Sequence, residues 1–403
     1  MQQDLSTFFE EFISRESIFK DRSVLTSEYH PGEVLHRSEQ VHAIAQMLAP
    51  CLRMEKPSNI FIYGKTGTGK TVTVTHTTHH ILQAAQQHHV NVKVLYVNCK
   101  MKRTADTEYR LLAEFTKQLG TDVPATGLPT DEVYNIFINR LDAEKRIVIL
   151  VLDEVDELVR KSDALFYNLT RVNSDLKQAR VTIVGIANNA SFTDHLDPRV
   201  KSSLGEEELI FPSYNAPQIR DILEQRTRIA FNDDVVEPGV IEKCAAFAAR
   251  DHGDARRAIE LMRVAGEIAE RNGFRMVKME HLDEAEGKIE RDRMLDLVRK
   301  QPKQYQLVLY GILSLSGRNS RTVLSTGEVY ELYQKLCSQT TLRPLTQRRI
   351  SDIIAEFDML GVINVKVISK GRYGRTRDIT IPLPGDTATN LKKLVAQSLD
   401  LPS

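Results

Sequence analysis

The run Gly64-Lys65-Thr66-Gly67-Thr68-Gly69-Lys70-Thr71 limits what this chain can fold into more than any other feature. It satisfies G-x-x-x-x-G-K-[ST] at every fixed position, and that pattern needs a particular setting. Asn59-Ile60-Phe61-Ile62-Tyr63, immediately before it, is a short apolar run that reads as a buried strand. Thr71 to Gln87, immediately after it, is long enough for a helix, with Ile81 and Leu82 facing inward. A strand that turns through glycines into a helix presents backbone N–H groups and a positive helix end to an anion. Lys70 then supplies a mobile cation for the β- and γ-phosphates, and the Thr71 hydroxyl a ligand for magnesium. ATP or ADP with Mg2+ is therefore the expected cofactor set.

Further apolar runs at Val92 to Val97, Ile147 to Leu152 and Val181 to Ala187 read as strands. Helical stretches at Glu108 to Leu119 and Asp131 to Leu141 fall between them. Strands alternating with helices indicate an α/β domain around an open parallel sheet covered on both faces. Ile147 to Leu152 leads directly into Asp153-Glu154. A carboxylate at the end of such a strand suits magnesium, which assigns Asp153 to the metal together with Thr71. Glu154, one residue on, is placed to polarise an attacking water. Asp156 and Glu157 read as a solvated helix start.

After Phe211-Pro212 the pattern becomes helical, with candidates at Pro217 to Ile229, Val240 to Arg250, Ala255 to Arg271 and His281 to Arg291. Beyond Gln301-Pro302 a different module begins. Tyr305 to Leu315 reads as a helix, Ser325-Thr326-Gly327-Glu328 as a capping box, and Thr346 as the N-cap of a third helix. In that third helix Ile350, Ile353, Ile354, Phe357 and Leu360 share one face. Strands at Val362 to Ser369 and Arg377 to Ile381 follow. This is the order of a winged helix. The whole chain carries 54 Lys+Arg and 54 Asp+Glu, but from residue 293 onward there are 17 basic and 9 acidic residues, a net of +8. Gln347, Arg348 and Ser351 lie at the exposed start of the third helix, where a recognition helix reads base edges. Lys366, Lys370, Arg372, Tyr373, Arg375 and Arg377 lie in and around the wing, whose glycine-flanked basic tip suits phosphate or the minor groove. A winged helix used for protein contact is the alternative.

In their order, several of these motifs resemble the AAA+ ATPases, and more narrowly the archaeal replication initiators of the origin-recognition and helicase-loader family. The resemblance is carried by Phe19-Lys20-Asp21-Arg22, Tyr29-His30-Pro31, His36-Arg37, the phosphate loop and Leu152-Asp153-Glu154-Val155-Asp156. Gly185-Ile186-Ala187-Asn188, Arg199 to Leu204, Phe211-Pro212-Ser213-Tyr214 and Gly253-Asp254-Ala255-Arg256 complete it. It implies a nucleotide-binding domain over 1–212, a helical lid over 213–292 and a winged-helix domain over 293–403. It implies Asn188 as the first sensor, with Asn189 the adjacent register. Arg256 is implied as a second sensor on the lid, with Arg257 adjacent, and Arg199 as a finger acting on a neighbouring subunit's ATP. Tyr29, Pro31, His36 and Arg37 are implied around the adenine, with Tyr214 also at the nucleotide. The insertion from Lys100 to Gly120, with Lys102, Arg103 and Arg110, contacts DNA in that family; a helical hairpin that merely packs on the sheet is the other reading. The implied partners are origin duplex DNA, the replicative helicase, and further copies of this or a related chain on DNA. A slow ATPase used as a switch is the implied activity. A loader acting on a protein client, with the winged helix for docking, is the alternative, and an ATP-gated transcription regulator a third.

Other signals exclude more than they assign. Cys51, Cys99, Cys244 and Cys337 lie dozens of residues apart, which argues against a zinc ribbon, a redox pair or a disulfide framework. His76 and His80 have the spacing of zinc ligands, but no carboxylate or thiol joins them in sequence. The longest aliphatic run is far below the roughly 20 residues of a membrane span. The start at Met1 has no basic or apolar leader character, so a cytoplasmic, nucleoid-associated protein is expected.

Overall fold

Side-chain alternation on one central strand sets the architecture. The computed structural model describes residues 10, 13–14, 16–100, 108–124, 127–161, 163–189, 206–318, 323–369, 375–383 and 385–401. Strand β3, Ile147–Asp153, is buried along its whole length. Its Val148, Leu150 and Leu152 enter one hydrophobic cluster, and its Ile147, Ile149 and Val151 enter another. Successive side chains point to opposite faces, so an uninterrupted aliphatic strand needs a packed layer on both. Each side chain buried in this way contributes about 1.5–3 kcal/mol.

The strands β1 (Asn59–Tyr63), β2 (Val92–Asn98), β4 (Arg180–Ala187) and β5 (Glu206–Ile210) join β3 in a parallel sheet of order β2-β3-β4-β1-β5. Helices α1 (Ser38–Leu48) and α2 (Lys70–Gln87) supply Ile44, Leu48, Val74 and Ile81 to the cluster on one face. On the other face α3 (Glu108–Gln118), α4 (Thr130–Leu141), α5 (Val155–Lys161) and α6 (Asp163–Arg171) supply Phe115, Phe137, Leu158 and Phe166. Strand β5 has no counterpart among the sequence-based assignments. Its Glu206-Glu207-Glu208-Leu209-Ile210 lacks the apolar run of an inner strand because it pairs with β1 alone among the described strands.

The helices α7 (Ala216–Ala230), α8 (Val240–Arg250) and α9 (Ala255–Arg271) follow. A reciprocal capping box between Asn215 and Gln218 starts α7, and the Asp254 carboxylate caps α9 by accepting from the N–H groups of Arg256 and Arg257. The segment around Phe19 packs on these helices. Phe19 stacks on Phe231 at 4.7 Å, and a Cβ on Gly266 would lie 2.5–2.9 Å from both rings. Lys20 N–H donates to the Ala230 carbonyl at 2.8 Å. The segment around Phe19 thus packs on the helices that follow the sheet.

Backbone contacts divide the chain into two compact units, Met1–Leu282 and Asp283–Ser403. The division falls inside α10, Met279–Arg299, which continues past the Arg291 end expected from the sequence. The second unit contains α11 (Lys303–Arg318), α12 (Thr326–Gln339) and α13 (Gln347–Met359), with a sheet of β6 (Leu324–Ser325), β8 (Arg375–Thr380) and β7 (Asn364–Ser369) in that order. The expected capping box at Ser325 and N-cap at Thr346 both form. Gly361, at φ +72°, follows α13. The two-residue strand β6 and a closing helix α14 (Gly385–Ser398) were not legible in advance. Leu391, Val395 and Ala396 of α14 are buried with Ile350, Ile353, Ile354 and Phe357 of α13. Truncating Phe357 to Ala should lower the stability of this unit by about 3–5 kcal/mol in chemical denaturation. Truncating Met359, which is 80% exposed, should change it by under about 0.5 kcal/mol.

Candidate functional site

Parallel pairing delivers the functional side chains to one edge of the sheet. Tyr63 pairs with Ala187, and Asp153 with Ile186. The C-terminal ends of β1, β4 and β3 therefore lie side by side, so the glycine loop, Asn188 and Asp153 come together. The cleft above them has a volume of about 1010 Å³, counting its open mouth. Tyr29, Pro31, Thr66 to Thr71, Asp153, Glu154, Asn188, Tyr214 and Arg256 line it.

The loop can hold its shape only as glycine at two points. Gly67 and Gly69 have φ of +69° and +88°. A Cβ on Gly67 would fall 1.8 Å from the Asp254 carboxylate, and one on Gly69 would fall 2.6 Å from the Tyr214 hydroxyl. Behind the loop, Arg37 is buried and donates to the Thr68 carbonyl at 2.9 Å and the Pro212 carbonyl at 2.6 Å. Its guanidinium lies 3.8 Å from the centre of the Tyr214 ring. Burial lowers the pKa of Arg37, against the opposing influence of Tyr214.

Lys70 is buried and its ammonium donates to the Gly64 carbonyl at 2.6 Å, the Lys65 carbonyl at 2.7 Å and Asn188 Oδ1 at 3.1 Å. Burial lowers its pKa to about 8; Asp153 opposes the fall and Arg256 adds to it. Thr71 Oγ1 donates to Asp153 Oδ2 at 2.9 Å, so the two residues assigned to magnesium touch. Glu154 has a left-handed backbone, φ +54°, and its Oε2 lies 3.4 Å from Lys100 Nζ. Asp156 is not the solvated residue expected. Its Oδ1 is buried with no hydrogen-bond partner among the described residues, and burial raises its pKa.

These observations test whether a nucleotide and a divalent cation suit the site. A cation largely withdrawn from water beside a glycine cradle suits phosphate oxygens. A hydroxyl and a carboxylate already in contact suit a hard, oxygen-seeking ion. The residues fit.

Other assigned residues are placed differently. Asn188 faces the Lys70 ammonium, and Arg256 lines the cleft while its neighbour Arg257 pairs with Asp251. His36 and Arg37 do not line the cleft. His36 Nε2 meets Asp221 Oδ2 at 2.9 Å, and Arg37 supports the loop from behind. Sequence reasoning passed over Asp254, which braces the loop from the lid. Ala255 N–H also donates to the Gly67 carbonyl at 3.2 Å. Aspartate immediately before the helical run Ala255-Arg256-Arg257-Ala258 was a legible N-cap signal. His76 and His80 meet edge to face at 4.6 Å on α2. Arg199, Lys102, Arg103, Lys370, Arg372 and Tyr373 lie outside the described residues, as does the side chain of Arg375.

In the second unit, Gln347 and Arg348 are exposed in the first turn of α13, and Ser351 is half-buried one turn on. Arg349 is held structurally, donating to the Tyr305 hydroxyl at 2.8 Å beside Glu356. Arg377, expected with the wing cations, donates to the Ser351 carbonyl and ties β8 to α13. It is a strut between strand and helix.

The segment 53–191 matches the family model described as AAA domain, 220–287 that of the Cdc6 AAA+ ATPase-type lid domain, and 296–390 that of the CDC6 C terminal winged helix domain. The ORC1-type DNA replication protein of Thermococcus onnurineus is 50% identical over 382 residues, covering 94% of this chain and 91% of its own length. ORC1-type DNA replication protein 1 of Methanosarcina acetivorans is 47% identical over 401 residues, covering 99% and 95%. Among solved structures, the Aeropyrum pernix ORC1 protein in complex with DNA matches with a TM-score of 0.80 at 44% identity, across 96% of this chain and 100% of that one. The Aeropyrum pernix ORC2 protein, in ADPNP-ADP complexes, matches with a TM-score of 0.59 at 23% identity, a likeness of fold alone.

The Lys70 pKa carries a sign that can be measured. It is about 8 in the folded chain and 10.5 when unperturbed, so between these values the unfolded chain binds more protons. The penalty for burying the charge is full below pH 8 and is relieved as pH rises from 8 towards 10.5. Relative to a Lys70→Met variant, wild-type stability should therefore climb over that interval. A constant difference across it, read by denaturant titration at several pH values, would remove the assigned burial penalty.

Proposed function

Because this chain belongs to the ORC1/Cdc6 family of AAA+ replication proteins with a winged helix, we propose that it is an origin-binding initiator whose hold on DNA is switched by ATP. The observation that carries this reading is the meeting of Lys70, Thr71, Asp153, Glu154, Asn188 and Arg256 at one cleft between sheet and lid. ATP sits there with its phosphates on the glycine loop, where Lys70 exchanges its carbonyl partners for phosphate oxygens. Thr71 and Asp153 hold magnesium, which when bound neutralises phosphate charge. Glu154 orients the attacking water, and Asn188 and Arg256 sense the γ-phosphate from sheet and lid. Tyr29 and Pro31 flank the adenine. The supply of Arg199 from a neighbouring subunit makes isolated turnover slow.

The lid reports this state to the rest of the first unit. Asp254 and Ala255 at the start of α9 already touch the loop, so movement of the loop bears directly on that helix. The DNA reading rests on the exposed Gln347 and Arg348 at the start of α13, on the +8 charge from residue 293 onward, and on the relative whose structure was solved in complex with DNA. Lys102 and Arg103 of the insertion, and Lys370, Arg372, Tyr373 and Arg375 of the wing, add contacts to the phosphate backbone. Recruitment of the replicative helicase follows from the same switch, on DNA that carries more than one copy.

A protein client is the second reading. It draws on exposed apolar side chains in the same C-terminal unit, with Met359 80%, Val367 65% and Ile368 40% exposed. Footprinting on genomic DNA separates the two: discrete protected sites support the initiator, and diffuse or absent protection supports the loader.

Lys70→Ala should weaken ATP binding, and Glu154→Gln should keep binding and stop hydrolysis; unimpaired hydrolysis in the latter variant removes the role given to Glu154. Arg348→Ala should weaken duplex binding by about 1–3 kcal/mol if it reads a base edge. If it contacts phosphate, the salt slope of binding should instead fall by about 1. No change in either quantity would leave α13 without a part in DNA recognition.

A further inference from the structure

The Asp153 carboxylate is held by more than the loop. Its Oδ1 accepts from the Glu154 N–H at 2.9 Å, and its Oδ2 accepts from two hydroxyls, Thr71 Oγ1 at 2.9 Å and Tyr96 Oη at 2.7 Å. Tyr96 lies on β2, the strand beside β3, and pairs with Val151. By strand alternation, Tyr96 shares its face with Val94, Val151 and Asp153, the face against which α2 packs. That face points the phenol towards the start of α2, where Thr71 lies. The backbone of Tyr96 is clamped as well. On the side of β2 away from β3, the Gln118 side chain accepts from the Tyr96 N–H at 3.1 Å and donates to the Tyr96 carbonyl at 2.9 Å. One amide from the end of α3 thus imitates a neighbouring strand at a single residue. Gln118 is itself steadied by Glu114 Oε1 at 3.1 Å.

We propose that Tyr96 is a positioning residue for the metal carboxylate, fixing the rotamer of Asp153 and thereby setting the affinity of the site for its divalent cation. The inference rests on the reading of the cleft as a nucleotide–magnesium site. Thr71 cannot serve Asp153 and the cation in the same way at once. As a ligand its oxygen offers a lone pair to the ion, and its hydrogen no longer has to point at Asp153. The phenol has no such conflict, because it is a donor to the carboxylate whether or not the cation is present. It stays on Oδ2 when Thr71 turns, so that the carboxylate keeps a donor on each oxygen, Tyr96 on Oδ2 and the Glu154 N–H on Oδ1. Carboxylates that ligate metals are themselves held by hydrogen bonds, and losing such a partner weakens metal binding by about 10–100-fold.

The test uses the full chain with ADP and Mn2+ as the probe ion, free Mn2+ being read by electron paramagnetic resonance. Tyr96→Phe keeps the ring, which is 38% exposed on an edge strand, and removes only the donor. Mn2+ binding in the presence of ADP should weaken about 10-fold or more, while ADP affinity measured in EDTA stays at the wild-type value. Gln118→Ala, which retains the phenol and loses the backbone clamp, should weaken Mn2+ binding by a smaller factor. Unchanged Mn2+ affinity in Tyr96→Phe overturns the proposal, and so does an equal loss of ADP affinity in EDTA, which would mark a general role in packing. If the wild-type chain binds ADP but takes up no Mn2+, it is the metal reading of Thr71 and Asp153 that fails, and Tyr96 with it.

Discussion

The register between three parallel strands is the constraint on which the rest of the molecule depends. β1, β4 and β3 are hydrogen-bonded in sequence, and their ends are level to within a residue. What the sheet contributes to the cleft starts at or just after those ends: the loop after Tyr63, Asn188 after Ala187, and Asp153 as the last residue of β3. A slip of one residue in either pairing would exchange the two faces of a strand and move its terminal side chain to the wrong side of the sheet. The aliphatic packing on both faces prevents this. The core formed by Ile147, Ile149 and Val151 on one side and Val148, Leu150 and Leu152 on the other thus also sets the geometry of the site.

The lid and the loop are not independent either. Arg37 supports the loop from behind through the Thr68 carbonyl, Tyr214 stacks on that arginine, and Asp254 presses on Gly67 from the lid. The partners of Arg37 here are carbonyl dipoles and an aromatic face. Among the described residues no carboxylate is seen to pair with it, and burial lowers its pKa. The loop is therefore held in a frame contributed by both the sheet and the lid.

What could be read in advance divides along a physical line. Local signals were legible: the loop, the strands with β-branched runs, the N-caps at Ser325 and Thr346, and the apolar face of α13 except for Leu360, which caps the helix end and is exposed. Each depends on residues within a few positions of one another. The unread parts depend on distant partners. Strand β5 is an edge whose sequence is acidic, and α14 is recognisable only once the groove it fills exists. Tyr96 is one aromatic in an ordinary strand until Asp153 is brought beside it. His36 and Arg37 were assigned by resemblance to the adenine region; the structure turns one towards Asp221 and the other behind the loop. Arg377 has the composition of a wing cation and the position of a strut. Charge alone did not distinguish the two, because that depends on which backbone carbonyl lies within reach.

Glu154 has a backbone conformation that its own side chain disfavours. A non-glycine residue with φ near +54° carries a strain of about 1–2 kcal/mol, a noticeable share of the roughly 5–15 kcal/mol by which a domain exceeds its unfolded state. Glycine would relax the turn and asparagine would tolerate it, yet neither has a carboxylate to offer the cleft. Thermostability and chemistry therefore pull in opposite directions at this one position. Easing the backbone at residue 154 would relieve that strain and, in the same stroke, remove the carboxylate to which the proposed mechanism gives the attacking water.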